Sequence, residues 1–120
     1  MDAYQALAYA LGKPSAWADN PFGHDLDLAK VADKIFLFPS AGGGSLGDAH
    51  SISVKNTAEA VEEFKARHPA QAGPAPYLNK RLWVRVVLNG LAEEEICELI
   101  DDSYDQVLAG LPKSRRPATP

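Results

Sequence analysis

The sequence predicts an α+β domain of two layers, an antiparallel sheet with helices packed on one face. Three observations predict it. Residues 93–111 carry an apolar stripe of Ile96, Leu99, Ile100, Tyr104, Val107, Leu108 and Leu111 at helical spacing. Residues 81–88 alternate with the two-residue period of a strand, Leu82, Val84, Val86 and Leu88 on one face and Arg81, Trp83, Arg85 and Val87 on the other. Shorter alternating runs elsewhere are separated by hairpin-length joints, which suit antiparallel neighbours.

Taken in order, Tyr4, Leu7, Ala8 and Leu11 recur at helical spacing, and Gly12 with Pro14 ends that first helix. Ser15 to Gly23 reads as a connection, with turn residues Asn20, Pro21 and Gly23 around Phe22. Two short strands follow, Asp27 to Val31 and Lys34 to Phe38, joined by the Ala32-Asp33 turn. Pro39 to Ala49 is a loop of small residues. His50 to Lys55 is the third strand, with Ile52 and Val54 pointing one way and Ser51, Ser53 and Lys55 the other.

Asn56 with Glu59 has capping-box spacing and opens a second helix, with Val61 and Phe64 inward and Pro69 at its end. Ala70 to Pro76 reads as an alanine, glycine and proline linker. Tyr77 to Lys80 is expected as a fourth strand turning into the strand at 81–88, and Asn89-Gly90 is a turn signal. In the last helix the early glutamates suit the positive end of the helix dipole, and Gly110 with Pro112 ends it. The expected order is α-β(3)-α-β(2)-α. Residues 1–113 form one domain, and 114–120 are expected as a flexible basic tail.

A chain of 120 residues, 46% apolar and 23% charged, is long enough for a real core without staples. No apolar run approaches the roughly 20 residues that span a bilayer, and the N-terminus lacks a signal-peptide pattern. The single cysteine, Cys97, cannot form an internal disulfide. A cytoplasmic location with no membrane partner is expected. The net charge of −4 gives no global pull toward nucleic acid, but its distribution is uneven. Residues 77–90 hold Lys80, Arg81 and Arg85 and no acid, whereas 91–105 hold seven acids and no cation.

Most candidate chemistry has a plain structural reading. Gly42-Gly43-Gly44-Ser45-Leu46-Gly47 lacks the Lys-Ser/Thr ending of a P-loop and leads into a strand, so it reads as a hairpin loop. His24, Asp25 and Asp27 are near one another, but His50 and His68 have no ligand spacing to them, and no metal is expected. Cys97 sits beside the apolar stripe of the last helix with no base near it and reads as a small hydrophobe. Ser103 and Tyr104 read as helix packing. No catalytic constellation or cofactor motif is visible, so the sequence points to a binding protein rather than an enzyme.

The order Pro21-Phe22-Gly23, then Asn79-Lys80-Arg81-x-Trp83, then Ile100-Asp101-Asp102-Ser103-Tyr104 running to Leu111-Pro112-Lys113, resembles the MmcQ/YjbR family of small bacterial proteins. Those landmarks span residues 21 to 113. The resemblance implies a CyaY-like, secretion-chaperone-like fold and a predicted DNA-binding role. Leu82 stands where the family often has His, which speaks against any role needing an imidazole there. The acidic last helix invites comparison with iron-handling frataxins, but the likeness does not extend to matching residues.

The basic-aromatic strand is the strongest functional signal. A two-layer domain leaves one sheet face without helices, and Arg81, Trp83 and Arg85 belong on it with Lys55 and Ser53. Arginine pairs bidentately with phosphate, and an exposed indole stacks on a base for about 1–3 kcal/mol. Asn79, Lys80 and Arg81 would form a turn at its edge. The site expected from sequence is therefore Lys55, Asn79, Lys80, Arg81, Trp83 and Arg85, binding DNA weakly and with strong salt dependence. The alternative is a protein-interaction or adaptor domain, monomeric or dimeric, with Trp83 or the Phe36/Phe38 pair at the centre of an apolar patch.

Overall fold

A computed structural model describes residues 1–116, except Phe22, His24, Asp25, 42–49, Pro76 and Tyr77. The Gly42–Gly47 loop, much of the His24/Asp25/Asp27 group and residues 117–120 therefore lie outside the described residues.

Asp2 starts helix α1 (Ala3–Leu11). Its carboxylate accepts the Gln5 N–H at 2.8 Å, and the Gln5 side chain accepts the Asp2 N–H at 2.9 Å, a capping box that satisfies two otherwise orphaned donors. The buried face is not the expected one. Ala3, Ala6 and Ala10 are fully buried, while Leu7 and Leu11 are half-buried and Tyr4 is 56% exposed. Methyl side chains let α1 approach the sheet closely, so its smallest residues mark the contact.

The remaining elements are β1 (Ala16–Asp19), β2 (Leu28–Val31), β3 (Lys34–Ala41), β4 (His50–Lys55), α2 (Ala58–Arg67), β5 (Ala72–Gly73), β6 (Trp83–Val87), α3 (Glu93–Ala109) and a 3-10 turn at Lys113–Arg115. The strands form one six-stranded antiparallel sheet in the order β1-β2-β3-β4-β6-β5. The architecture is the expected α+β one with a strand more before α2, because β1 lies inside the segment that reads as a connection. β5 is also displaced. It forms within the supposed linker, and residues 79–82 form a turn rather than a strand.

Local chemistry explains several boundaries. Ala32, at φ 52°, takes the first central position of the β2–β3 turn, where a II′ hairpin requires a positive φ. Pro39 is tolerated within β3 because pairing with β2 runs no farther than Leu37. Thr57 rather than Asn56 caps α2, accepting the Ala60 N–H at 3.1 Å, while Asn56 accepts the Thr57 N–H. α3 has no side-chain cap, and Glu93, Glu94 and Glu95 in its first turn face the positive dipole end.

A bulge in β3 ties the helix layer to the sheet. Ile35 pairs with Lys30 and Leu37 with Ala29, so Phe36 is an extra residue on β3. Its carbonyl accepts the Ser103 hydroxyl at 2.6 Å, and the same hydroxyl oxygen accepts the Lys55 N–H at 2.8 Å. A serine of α3 thus bridges the two strands one position beyond the Leu37–Val54 pair. Ser103 does more than pack.

One core holds Ala6 and Ala10 of α1, Val61 and Phe64 of α2, and Ile96, Ile100 and Tyr104 of α3 against Leu37, Ile52, Val54, Val84 and Val86. All three helices therefore lie on one face of the sheet. Phe36 belongs to this core, fully buried with its ring 5.2 Å from that of Tyr104, so it cannot centre an exposed patch. At the C-terminal end Arg115 pairs with Asp33 at 2.9 Å, and Arg116 Nε donates to the Leu111 carbonyl at 3.0 Å.

Candidate nucleic-acid interface

The site is built on the sheet face that carries no helix. Register places its residues without ambiguity, because directly paired residues in an antiparallel sheet share a face. Phe38 pairs with Ser53, Ser53 with Arg85, and Lys55 with Trp83. Val84 and Val86, between the outward residues of β6, are buried in the core. Lys55 and Trp83 are then close neighbours, and Arg85 lies two residues along from Trp83 on the same side.

This face is less open than the alternation alone suggests. Ser51 and Ser53 are buried, at 1% and 5% exposure, and Trp83, Arg85 and Lys55 are half-buried. The rings of Phe38 on β3 and Trp83 on β6 meet edge to face, with centroids 6.2 Å apart. β4 runs between those strands, so the two rings close over the small side chain of Ser53. Trp83 is a partly covered platform rather than a free indole.

Arg85 lies across the other side of Trp83, over the short edge strand β5. Gly73 is its partner in register, and a Cβ on Gly73 would come within 2.8 Å of Arg85 Nη2 and 3.3 Å of Nε. The glycine makes room for the guanidinium. Arg85 Nε is sealed from solvent with no hydrogen-bond partner, an arrangement that costs roughly 1–3 kcal/mol for a buried donor.

The turn before β6 carries the other expected residues. The Asn79 side chain accepts the Arg81 N–H at 2.9 Å, and its carbonyl accepts the N–H groups of Leu82 at 3.2 Å and Trp83 at 2.9 Å. Asn79 therefore shapes the turn, and Lys80 and Arg81 are exposed on it. Among the described residues, none of Lys55, Lys80, Arg81 and Arg85 has an acidic partner, whereas Lys13, Lys30, Arg67 and Arg115 each do.

The acidic helix lies on the opposite side. α3 packs within the helix layer, with Glu93, Glu94, Glu98 and Asp105 exposed there. Three of its acids are engaged. Asp101 accepts from the Tyr9 hydroxyl at 2.7 Å and pairs with Lys13, Glu95 contacts His68 at 2.9 Å and Arg67 at 3.3 Å, and Asp102 accepts from Asn56 at 3.3 Å. Asp102 alone comes round to the Lys55 end of β4.

Other titratable groups have structural roles. His50 Nδ1 accepts the Ala3 N–H at 3.2 Å, and the His68 ring lies tilted against that of Phe64 while meeting Glu95. Burial, followed by the Glu93 and Asp101 charges, pushes the Cys97 thiol up, the wrong direction for a nucleophile. The Tyr9 phenol is pushed up to about 12, first by its hydrogen bond to Asp101 and then by burial. Among the described residues no three His, Cys, Asp or Glu side chains stand close enough to hold a metal ion, and no helix is long and apolar enough to cross a membrane.

Sequence reasoning placed Phe38 only in the alternative apolar patch, not beside Trp83, and missed Gly73. Phe38 reaches Trp83 across a strand, and Gly73 meets Arg85 only because β5 pairs with β6. Neither relation has a local signal, although a lone glycine where another chain approaches closely is a recurring feature of strands.

Comparisons with other proteins agree with this architecture. The chain is 28% identical to the YjbR protein of Escherichia coli K12 over 117 residues, covering 97% of this chain and 95% of that one. A crystal structure of a Deinococcus radiodurans protein of the DUF419 domain family superposes with a TM-score of 0.81 at 25% identity, covering 95% of this chain and 84% of that one. A Pseudomonas syringae crystal structure gives a TM-score of 0.69 at 28% identity, covering 88% and 98%. Residues 11–106 match the sequence profile of the YjbR family, and on that match, together with the shared fold, the chain belongs to the YjbR family.

Proposed function

We propose that this protein is a non-enzymatic, cytoplasmic nucleic-acid-binding domain, using the helix-free face of its sheet and the Lys80-Arg81 turn. The observation that carries the reading is the set of four cations, Lys55, Lys80, Arg81 and Arg85, grouped around Trp83 without acidic partners among the described residues. Lys30 and Arg115, by contrast, each pair with a carboxylate. Most carboxylates of α3 are kept behind the sheet, where their repulsion of a polyanion is reduced by distance and by salt. About three or four phosphate contacts give modest affinity that falls with ionic strength.

The test is fluorescence anisotropy with labelled duplex and single-stranded DNA across a salt series, using wild type and an Arg81→Glu/Arg85→Glu variant. Binding at moderate salt that the variant loses is the expected result. No binding at low salt, with the variant behaving like wild type, would remove the reading.

A second reading rests on the apolar part of the same face. The Phe38–Trp83 pair and Trp17, 43% exposed on edge strand β1, could form a protein-docking surface. That adaptor role predicts binding with little salt dependence.

A further inference from the structure

We infer that Arg85, held over Gly73 and flanked by Ser53, Lys55 and Trp83, forms a discrete subsite for one tetrahedral phosphate group. The inference deepens the nucleic-acid reading and rests on it for the natural ligand, a phosphate of the strand backbone.

Three features separate Arg85 from the other cations. It is placed by structure on both sides: its Cα partners are Ser53 on β4 and Gly73 on β5. Its guanidinium occupies the space a Gly73 side chain would fill, so the absence of a Cβ sets where the fork lies. It also lacks compensation. Nε is sealed without an acceptor, and no carboxylate pairs with it among the described residues. A guanidinium ordinarily meets such a demand with a carboxylate or a carbonyl.

The consequence is a cation already partly desolvated and without a counter-charge. An incoming oxyanion then has less desolvation to overcome, which favours binding. With Nε turned into the protein, the terminal nitrogens form the outward edge of the fork, suited to two oxygens of one phosphate. Lys55, paired with Trp83 two residues along on the same face, adds a second positive charge, and the indole offers an apolar wall. Lys80 and Arg81 have none of this support. They are exposed on a turn and suit diffuse attraction of a strand rather than a fixed contact.

Two substitutions isolate the subsite. Arg85→Lys keeps the charge and removes the fork. Gly73→Ala keeps every charge and displaces the guanidinium, at a glycine whose φ is not in the left-handed region. Wild type, both variants and Lys80→Ala/Arg81→Ala are titrated with inorganic phosphate by calorimetry and with labelled oligonucleotides by anisotropy, and thermal midpoints verify folding.

The expected result is that Arg85→Lys and Gly73→Ala each weaken binding of phosphate and oligonucleotide roughly tenfold or more. Arg85→Lys leaves the salt slope of oligonucleotide binding unchanged. Lys80→Ala/Arg81→Ala lowers that slope and spares phosphate binding. If oligonucleotide binds wild type and both Arg85→Lys and Gly73→Ala equally well, the subsite is overturned while the nucleic-acid reading stands. If phosphate binds through Arg85 but no oligonucleotide binds, the subsite stands with free phosphate as its ligand, and the nucleic-acid reading falls. If neither binds wild type, both are overturned.

Discussion

Replacing Ser103 with Ala tests how the helix layer is locked to the sheet that carries the site. The Ser103 side chain is fully buried and holds two backbone groups at once, donating to the Phe36 carbonyl at 2.6 Å and accepting the Lys55 N–H at 2.8 Å. The bridge joins β3 to β4 just past their last paired residues, Leu37 and Val54, at the bulged Phe36. Alanine removes one oxygen and leaves both groups without that partner. A buried group left unsatisfied costs about 1–3 kcal/mol, so two cost about 2–6 kcal/mol. The Lys55 N–H is only part-buried and can recover water, which puts the expected loss at about 2–4 kcal/mol. Against a typical total of roughly 5–15 kcal/mol, that is a large fraction. Urea denaturation followed by far-UV circular dichroism measures it, with an unchanged m-value confirming that only stability moved. A loss below about 0.5 kcal/mol would refute the bridge as a significant tie.

Two further outcomes follow from other contacts. Tyr9 donates to Asp101 at 2.7 Å and its phenol is held up to about 12, above the ordinary value near 10, so the folded state favours the protonated form. The stability this confers is complete below pH 10 and is lost as pH rises from about 10 to 12. Tyr104, raised by burial and donating to the Pro14 carbonyl, acts with the same sign. Denaturation midpoints across that range should fall for wild type and fall less for Tyr9→Phe, and identical pH profiles would contradict the assignment. At the β2–β3 turn, Ala32→Gly relieves a positive φ that costs an L-residue about 1–2 kcal/mol, partly offset by glycine's greater freedom when unfolded. A net gain of up to about 1 kcal/mol is expected in thermal denaturation, and a loss would show that the turn tolerates Ala32 without strain.

How much of this was legible depended on whether the signal was local. The stripe of α3 placed Ile96, Ile100, Tyr104 and Val107 in the core because a long amphipathic helix repeats its pattern many times. The alternation at 83–87 identified both faces of β6. β1 was not legible, since an edge strand with Trp17 and Ala18 both exposed has no buried alternation to read. β5 was not either. It is two small residues that become a strand only by pairing with β6. The core face of α1 was misread because alanine is equally at home inside and outside, so the larger Tyr4 and Leu7 drew the assignment. In the site, alternation alone put Trp83 and Arg85 on one face of their strand and pointed Lys55 outward on another, but the Lys55–Trp83 pairing came only with the strand order. The covering of Trp83 by Phe38 and of Gly73 by Arg85 needed the strand order, which no local pattern contains.

The central claim is that the cation-lined, helix-free face binds nucleic acid, and backbone NMR during titration with a short DNA strand tests it most directly. The account predicts that the amides of Lys55, Lys80, Arg81, Trp83 and Arg85 and the indole N–H of Trp83 shift together and saturate with one affinity. The second indole, Trp17, donates to the Ala32 carbonyl at the far edge of the sheet and should stay in place. Shifts confined to the helix layer, or none at low salt, would contradict the account.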